Sequence, residues 1–373
     1  YESLATLGTS NWILGNQLVS GFFPNKIPNP DLKWERTGQF DIGLDLGLFN
    51  NRLRITTDYY KKKTTDLLYS VAVPATSGYQ TMLKNIGSIE NQGYELSIES
   101  DNLTGAFSWT TAFNIAFNRN KVLELGGEEY KEMAEGDGHL KTGSVRRLIV
   151  GEPIGVFYGY RFDGIFQNEE ECKQQTSSAS PIGVGLRRYK DLNGDGKVDA
   201  ANDREILGDA NPKFFGGLTN TFAYKGFELN VFLQYSYGNK ILNYNAMELE
   251  NPTGGQNAYA DMVNRWTPEN PSNIYPKATT NRALLVSDRF IEDGSYLKLK
   301  TLSLSYSFPK INLKHIQGLR LYVTGQNLLT WTKYRGYDPE VSYRGASTLE
   351  AGEDFGGYPQ SRTFMFGIKL DIK

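Results

Sequence analysis

A chain of 373 residues with 40 Lys and Arg against 42 Asp and Glu, a net charge of −2, has no basic excess with which to hold nucleic acid. One cysteine, Cys172, and two histidines, His139 and His315, argue against a disulfide framework, a multi-histidine zinc site and histidine-based catalysis. No run of about 18 apolar residues marks a transmembrane helix.

The chain opens on YESLATLGTS, which lacks the basic and apolar regions of a signal peptide, so none is expected. The first clear element is GQFDIGLDLGLF, where Phe40, Ile42, Leu44, Leu46 and Leu48 alternate with Gln39, Asp41, Gly43, Asp45 and Gly47. A turn at Asn50-Asn51 leads into RLRITTDYYK, with Leu53, Ile55, Thr57 and Tyr59 on one face, and the two runs read as a hairpin. After a long connection, GYELSIES sets Tyr94, Leu96 and Ile98 together, turns at Asp101 to Gly105, and returns as FSWTTAFNIAFN with Phe107, Trp109, Thr111, Phe113, Ile115 and Phe117 aligned.

A second long connection holds Cys172, read as an exposed thiol without function, and the stretch DLNGDGKVDAANDREILGDANPKFFGG. Calcium asks for six to eight oxygens at fixed offsets around a sharp turn. Asp191, Asn193 and Asp195 stand at the first, third and fifth places, Gly196 supplies the turn, Lys197 offers its carbonyl and Asp199 follows. The closing place falls on Asn202 and the next acid, Asp203, comes one residue late, so a small bulge at Ala200-Ala201 is needed for Asp203 to close the shell. Structural Ca2+ held by Asp191, Asn193, Asp195, Lys197, Asp199 and Asp203 is the expectation, and a metal-free Asp/Gly turn is the alternative.

LTNTFAY then turns at Lys225-Gly226 into FELNVFLQY, grouping Phe227, Leu229, Val231, Leu233 and Tyr235. The third connection contains Trp266 and Tyr275. LKTLSLSYSF passes through a turn after Pro309 to GLRLYVTGQN, the fourth connection contains Tyr334 and Tyr337, and RTFMFGIKLDIK closes the pattern with Phe364, Phe366, Ile368, Leu370 and Ile372. Trp266, Tyr275, Tyr334 and Tyr337 are candidates to stack on cargo, against the plainer reading that they pack loops together. The glycine pairs at 126–127 and 254–255 lack the strand-loop-helix setting of a phosphate cradle.

About nine long strands result, joined by short turns at one end and by connections at roughly 65–90, 120–212, 237–294 and 328–360 at the other, far beyond the usual four to six residues. That asymmetry, with Tyr59, Tyr60, Tyr224, Tyr235, Tyr306 and Phe308 at strand ends, predicts an all-β, transmembrane antiparallel β-barrel. Nine strands leave open edges, so the expectation is the carboxy-terminal part of a larger barrel. The competing reading is a soluble calcium-binding all-β protein that binds or cleaves carbohydrate; no spacing singles out a catalytic carboxylate pair for it.

NPDLKWERTGQFDIGLDLGLFNNRLRITTDYYKKKTTDLL, GSIENQGYELSIES, VGEPIGVFYGYRFDGIFQ, the DLNGDGKVD loop with its following strands, and LYVTGQNLLTWTKYRGYDPEVS closely resemble the carboxy-terminal half of SusC/RagA-type TonB-dependent outer-membrane transporters. The resemblance implies a barrel of about 22 strands in a Gram-negative, Bacteroidetes-like outer membrane. It also implies import of oligosaccharide or peptide fragments, a SusD-like lipoprotein lid, energy from TonB through an upstream plug, lipid around the wall, and no enzymatic activity. Where many such barrels end on an aromatic residue, this chain ends Ile372-Lys373, so either the true end lies a residue or more beyond or assembly relies on Phe364 and Phe366.

Overall fold

The structure, a computed structural model, describes residues 6–79, 81–133, 140, 143–251, 257–280, 284–308, 316–345, 347 and 349–372. His139, His315, Gly254-Gly255 and the turn after Pro309 lie outside the described residues. Eleven long strands carry the architecture: β1 (Thr6–Leu14), β2 (Gln17–Lys26), β3 (Arg36–Leu48), β4 (Leu53–Thr65), β5 (Ser88–Thr104), β6 (Phe107–Glu124), β7 (Phe214–Tyr224), β8 (Phe227–Tyr237), β9 (Tyr296–Ser307), β10 (Ile316–Thr332) and β11 (Thr363–Ile372).

β3 to β11 form one nine-stranded sheet in chain order, every neighbour antiparallel. β1 and β2 make a separate hairpin that the alternation reading passed over; Gly15 and Asn16 turn it with φ of 58° and 63°. Lys225 and Gly226 turn β7 into β8 the same way, with φ of 46° and 88°, as a tight turn matched to strand twist requires.

The register shows why the strands form a wall. Reading across the sheet, Leu46, Ile55, Ile98, Phe113, Leu218, Leu233, Leu299 and Leu329 lie directly opposite one another in turn. The neighbouring row, one residue away on each strand, is Asp45, Thr56, Ser97, Asn114, Gly217, Gln234, Lys298 and Thr330. Opposed residues share a face, so one surface is apolar and the other polar over eight consecutive strands. The row starts beside the β3–β4 turn and ends at the loop end of β10, which is the stagger of tilted barrel strands.

The apolar face is not a core. Phe227, Leu304 and Phe364 on it are 53%, 44% and 62% exposed. A soluble sandwich would bury these side chains against a second sheet, so the soluble reading loses its dry interior.

Burial is concentrated in the long connections. Phe157, Leu242, Tyr244, Ala246, Met247 and Phe290 are fully buried together, packed with Leu140, Val145, Leu284 and Val286. Arg204–Gly208, Val156–Tyr160, Arg146–Ile149 and Tyr130–Glu132 make a four-stranded sheet there. Lys240–Asn243 pairs on one side with Ile291–Asp293 and on the other, in parallel, with Glu353–Asp354. The loops therefore build a folded body of their own at one end of the wall.

Candidate functional site

The DLNGDGKVD segment folds around its own amides. Asp191 accepts from the Gly194 and Gly196 amides at 2.7 Å each, Asn193 Oδ1 from Asp195 at 3.2 Å, and Asp195 Oδ1 from Lys197 at 2.8 Å. Asp199 accepts from the Ala201 and Asn202 amides at 3.0 and 2.9 Å and faces the Lys197 ammonium at 3.2 Å. The Asn202 amide, followed by Lys197, holds the Asp199 carboxyl below its ordinary range. Asp203 is fully buried, and its carboxylate accepts from the amides of Leu192 at 2.8 Å and Asp199 at 2.7 Å, tying the two ends of the loop together. Among the described residues, no three His, Cys, Asp or Glu converge as metal ligands. Upstream, Cys172 sits in the short helix Glu169–Lys173 and is partly buried rather than exposed, with burial and the neighbouring glutamates pushing its thiol up.

The four candidate cargo aromatics do not form one surface. Trp266 and Tyr275 are neighbours: the Trp266 amide donates to the Tyr275 carbonyl, the indole Nε1 donates to Gln167 at 3.1 Å, and the Tyr275 hydroxyl donates to Asp261 at 3.2 Å. Arg289 lies 5.1 Å from the Tyr275 ring. Tyr334 is buried, and its hydroxyl donates to Asp354 at 2.5 Å; burial, then that contact, raises its pKa. Only Tyr337, 82% exposed, is free to meet a solute, and Tyr358, which the sequence did not single out, is 91% exposed.

What joins the loops is a set of buried charges. The Arg146 guanidinium meets Glu353 at 2.8 Å with both side chains almost wholly buried, and it also donates to the carbonyls of Gly155 and Ala351. Glu250, 1% exposed, accepts from Arg289 at 2.6 Å and from Arg335 at 2.7 Å, and its carbonyl accepts from Arg187. At the wall, Lys298 on β9 is buried against Asp338 at 2.6 Å and against Glu340, which also takes Lys300 at 2.8 Å. Burial pushes the Glu340 carboxyl up, but the two lysines outweigh it and hold it below its ordinary value. No periodicity signals these residues, because Arg146 and Glu353 are 207 positions apart.

Below the loop body, the polar face presents Asp41, Asp45, Asp58, Glu95 and Glu99 on β3 to β5, with Arg54 bridging Glu99 and Asp101 at 3.1 and 3.2 Å. On β6 to β9 it presents Asn114, Thr219, Asn230 and Ser303. These amides, hydroxyls and carboxylates suit hydrogen bonding to a hydrated polar solute.

The family model described as TonB dependent receptor-like, beta-barrel matches residues 3–328. TonB-dependent receptor P3 of Formosa agariphila is 40% identical over 377 residues, covering 99% of this chain and 37% of that protein. TonB-dependent receptor SusC of Bacteroides thetaiotaomicron is 30% identical over 361 residues, covering 93% of this chain and 33% of that one. The solved RagAB peptide transporter matches with a TM-score of 0.80 at 27% identity, over 99% of this chain and 39% of that chain. The chain thus spans less than two fifths of the length of these relatives.

Proposed function

The chain belongs to the TonB-dependent receptor-like β-barrel family, and on that premise we propose that it supplies wall and outer loops to an active importer in the outer membrane of a Gram-negative, Bacteroidetes-like bacterium. Its cargo is an oligosaccharide or peptide fragment, a SusD-like lipoprotein covers its outer mouth, and TonB drives it through a segment other than this one. The carrying observation is the paired register, an apolar row and a polar row side by side across eight strands. The first suits hydrocarbon outside and the second water inside. The peptide transporter RagAB among the structural matches supports a peptide as cargo.

The test uses the full-length receptor in its own cells. Deleting it is expected to abolish uptake of labelled oligosaccharide or peptide fragments, a protonophore to do the same, and a tagged receptor to bring down a lipoprotein. Recovery of the receptor as a monodisperse, detergent-free protein would overturn this reading.

Ca2+ in the 191–203 loop is a further part of the proposal, with Asp191, Asn193, Asp195, the Lys197 carbonyl and Asp199 as ligands. Asp203 serves as the buttress, since it is fully buried and joins the two ends of the loop through the Leu192 and Asp199 amides. Calorimetric titration of the full-length receptor should show one Ca2+ site that the Asp191→Ala/Asp195→Ala double variant loses. An equal heat from both proteins removes the ion from the account.

A further inference from the structure

Above the last aromatics that β4, β5 and β6 set on the apolar face, those three strands change character, with Phe40 of β3 directly beside Lys61. On β4, β5 and β6, Tyr59, Tyr94 and Phe117 lie opposite one another on that face. Two residues toward the loops, the next row is Lys61, Gln92 and Arg119, and the row after it is Lys63, Glu90 and Lys121. The register is unbroken through both rows, so all six side chains share the face of the aromatics beneath them.

Four cations therefore stand against one carboxylate. Lys61 reaches Glu90 at 3.2 Å and its side chain remains 47% exposed. Lys63, Arg119 and Lys121 are exposed and have no recorded side-chain partner among the described residues. Strand spacing puts β4 cations about 10 Å from β6 cations, and successive rows are about 7 Å apart. A hollow of about 310 Å³ opens at the edge of β6, lined by Glu90, Gln92, Arg119 and Lys121, by Asn118 and Asn120 of the opposite face, and by Asp209 and Lys213. At the turn end of the same strands, the row on the apolar face is Leu53, Ser100 and Thr111, with no cation in that register.

We propose that this patch binds the anionic, phosphate-bearing headgroup of a membrane lipid whose acyl chains lie against the apolar rows below. The inference rests on the membrane reading above. A headgroup is favoured over a free anion because the cations sit directly on the border of the apolar face, where an amphiphile presents charge and hydrocarbon together. Glu90 limits the site, so its removal strengthens it.

Native mass spectrometry of the detergent-extracted full-length receptor tests this with phosphatidylglycerol, phosphatidylcholine and inorganic phosphate as probes. Phosphatidylglycerol is expected to stay bound in preference to phosphatidylcholine, with phosphate alone not retained. Each cation is worth about fivefold near an anionic headgroup, so Lys61→Gln/Lys63→Gln/Arg119→Gln/Lys121→Gln should weaken retention roughly a hundredfold or more. Glu90→Gln should strengthen it, a gain that a misfolded protein does not show. Equal retention of both lipids, or indifference to the quadruple change, overturns the proposal while the membrane reading stands. Loss of a co-purifying lipoprotein with unchanged lipid retention also overturns it and gives the patch to a protein partner. A receptor that needs no detergent overturns both.

Discussion

Arg146→Ala is expected to cost the loop body about 3 kcal/mol, because it removes the nearer of the two cations at the buried Glu353 carboxylate and leaves only Arg344, 3.6 Å away, to face it. It also strips the carbonyls of Gly155 and Ala351 of their donor. The segments that Arg146 joins then keep the pairing of Arg146–Ile149 with Val156–Tyr160, that of Lys240–Asn243 with Glu353–Asp354, and the apolar packing around Tyr244. Hydrogen exchange should show protection lost across residues 145–157, 240–247 and 349–354 while β7 and β8 keep theirs. The companion Arg146→Met/Glu353→Leu protein should recover most of the loss, since an apolar pair of similar volume removes both charges together. A single change that leaves exchange untouched would mean that packing alone carries the body.

Arginine on the two faces of one strand should give the second large effect. Leu302 lies between Val231 and Gly325 on the apolar face, and Ser303 next to it faces the other way, its hydroxyl 2.8 Å from that of Thr324. Leu302→Arg is expected to cost about 2–4 kcal/mol at mid-wall and to cut the amount of receptor assembled in the outer membrane. Ser303→Arg should cost about 1 kcal/mol, the loss of its hydrogen bond to Thr324. Thermal melts of the two full-length variants in the same detergent provide the comparison. If Ser303→Arg is the more damaging, the faces are assigned the wrong way round.

The wall was legible in the sequence because its strands repeat a period of two, and each of the nine strands read from that alternation lies in the sheet where it was placed. β1 and β2 escaped that reading although Gly15-Asn16 is a recognisable hairpin signal, because WILGNQLV alternates too briefly around it. The loops were legible only as long. Their short strands, the Arg146–Glu353 and Glu250 clusters and the burial of Tyr334 depend on pairings between segments far apart in the chain, which no local window contains. In the DLNGDGKVD loop, spacing identified the residues that turn the backbone. It assigned Asp203 to closing a metal shell and did not reveal that Asp203 joins the loop's ends through two amides.

The separation of Arg146 from Glu353 also bears on the order of folding. Closing so large a loop is entropically slow, and the clasp has nothing to grip until residues near 353 arrive. Until then a guanidinium destined for the interior stays hydrated, and the strands on either side of it are free to find their neighbours first. The loop body is thus expected to set after the hairpins beside it, with Phe214–Tyr224 and Phe227–Tyr237 gaining exchange protection in refolding before the segments around Arg146 and Glu353.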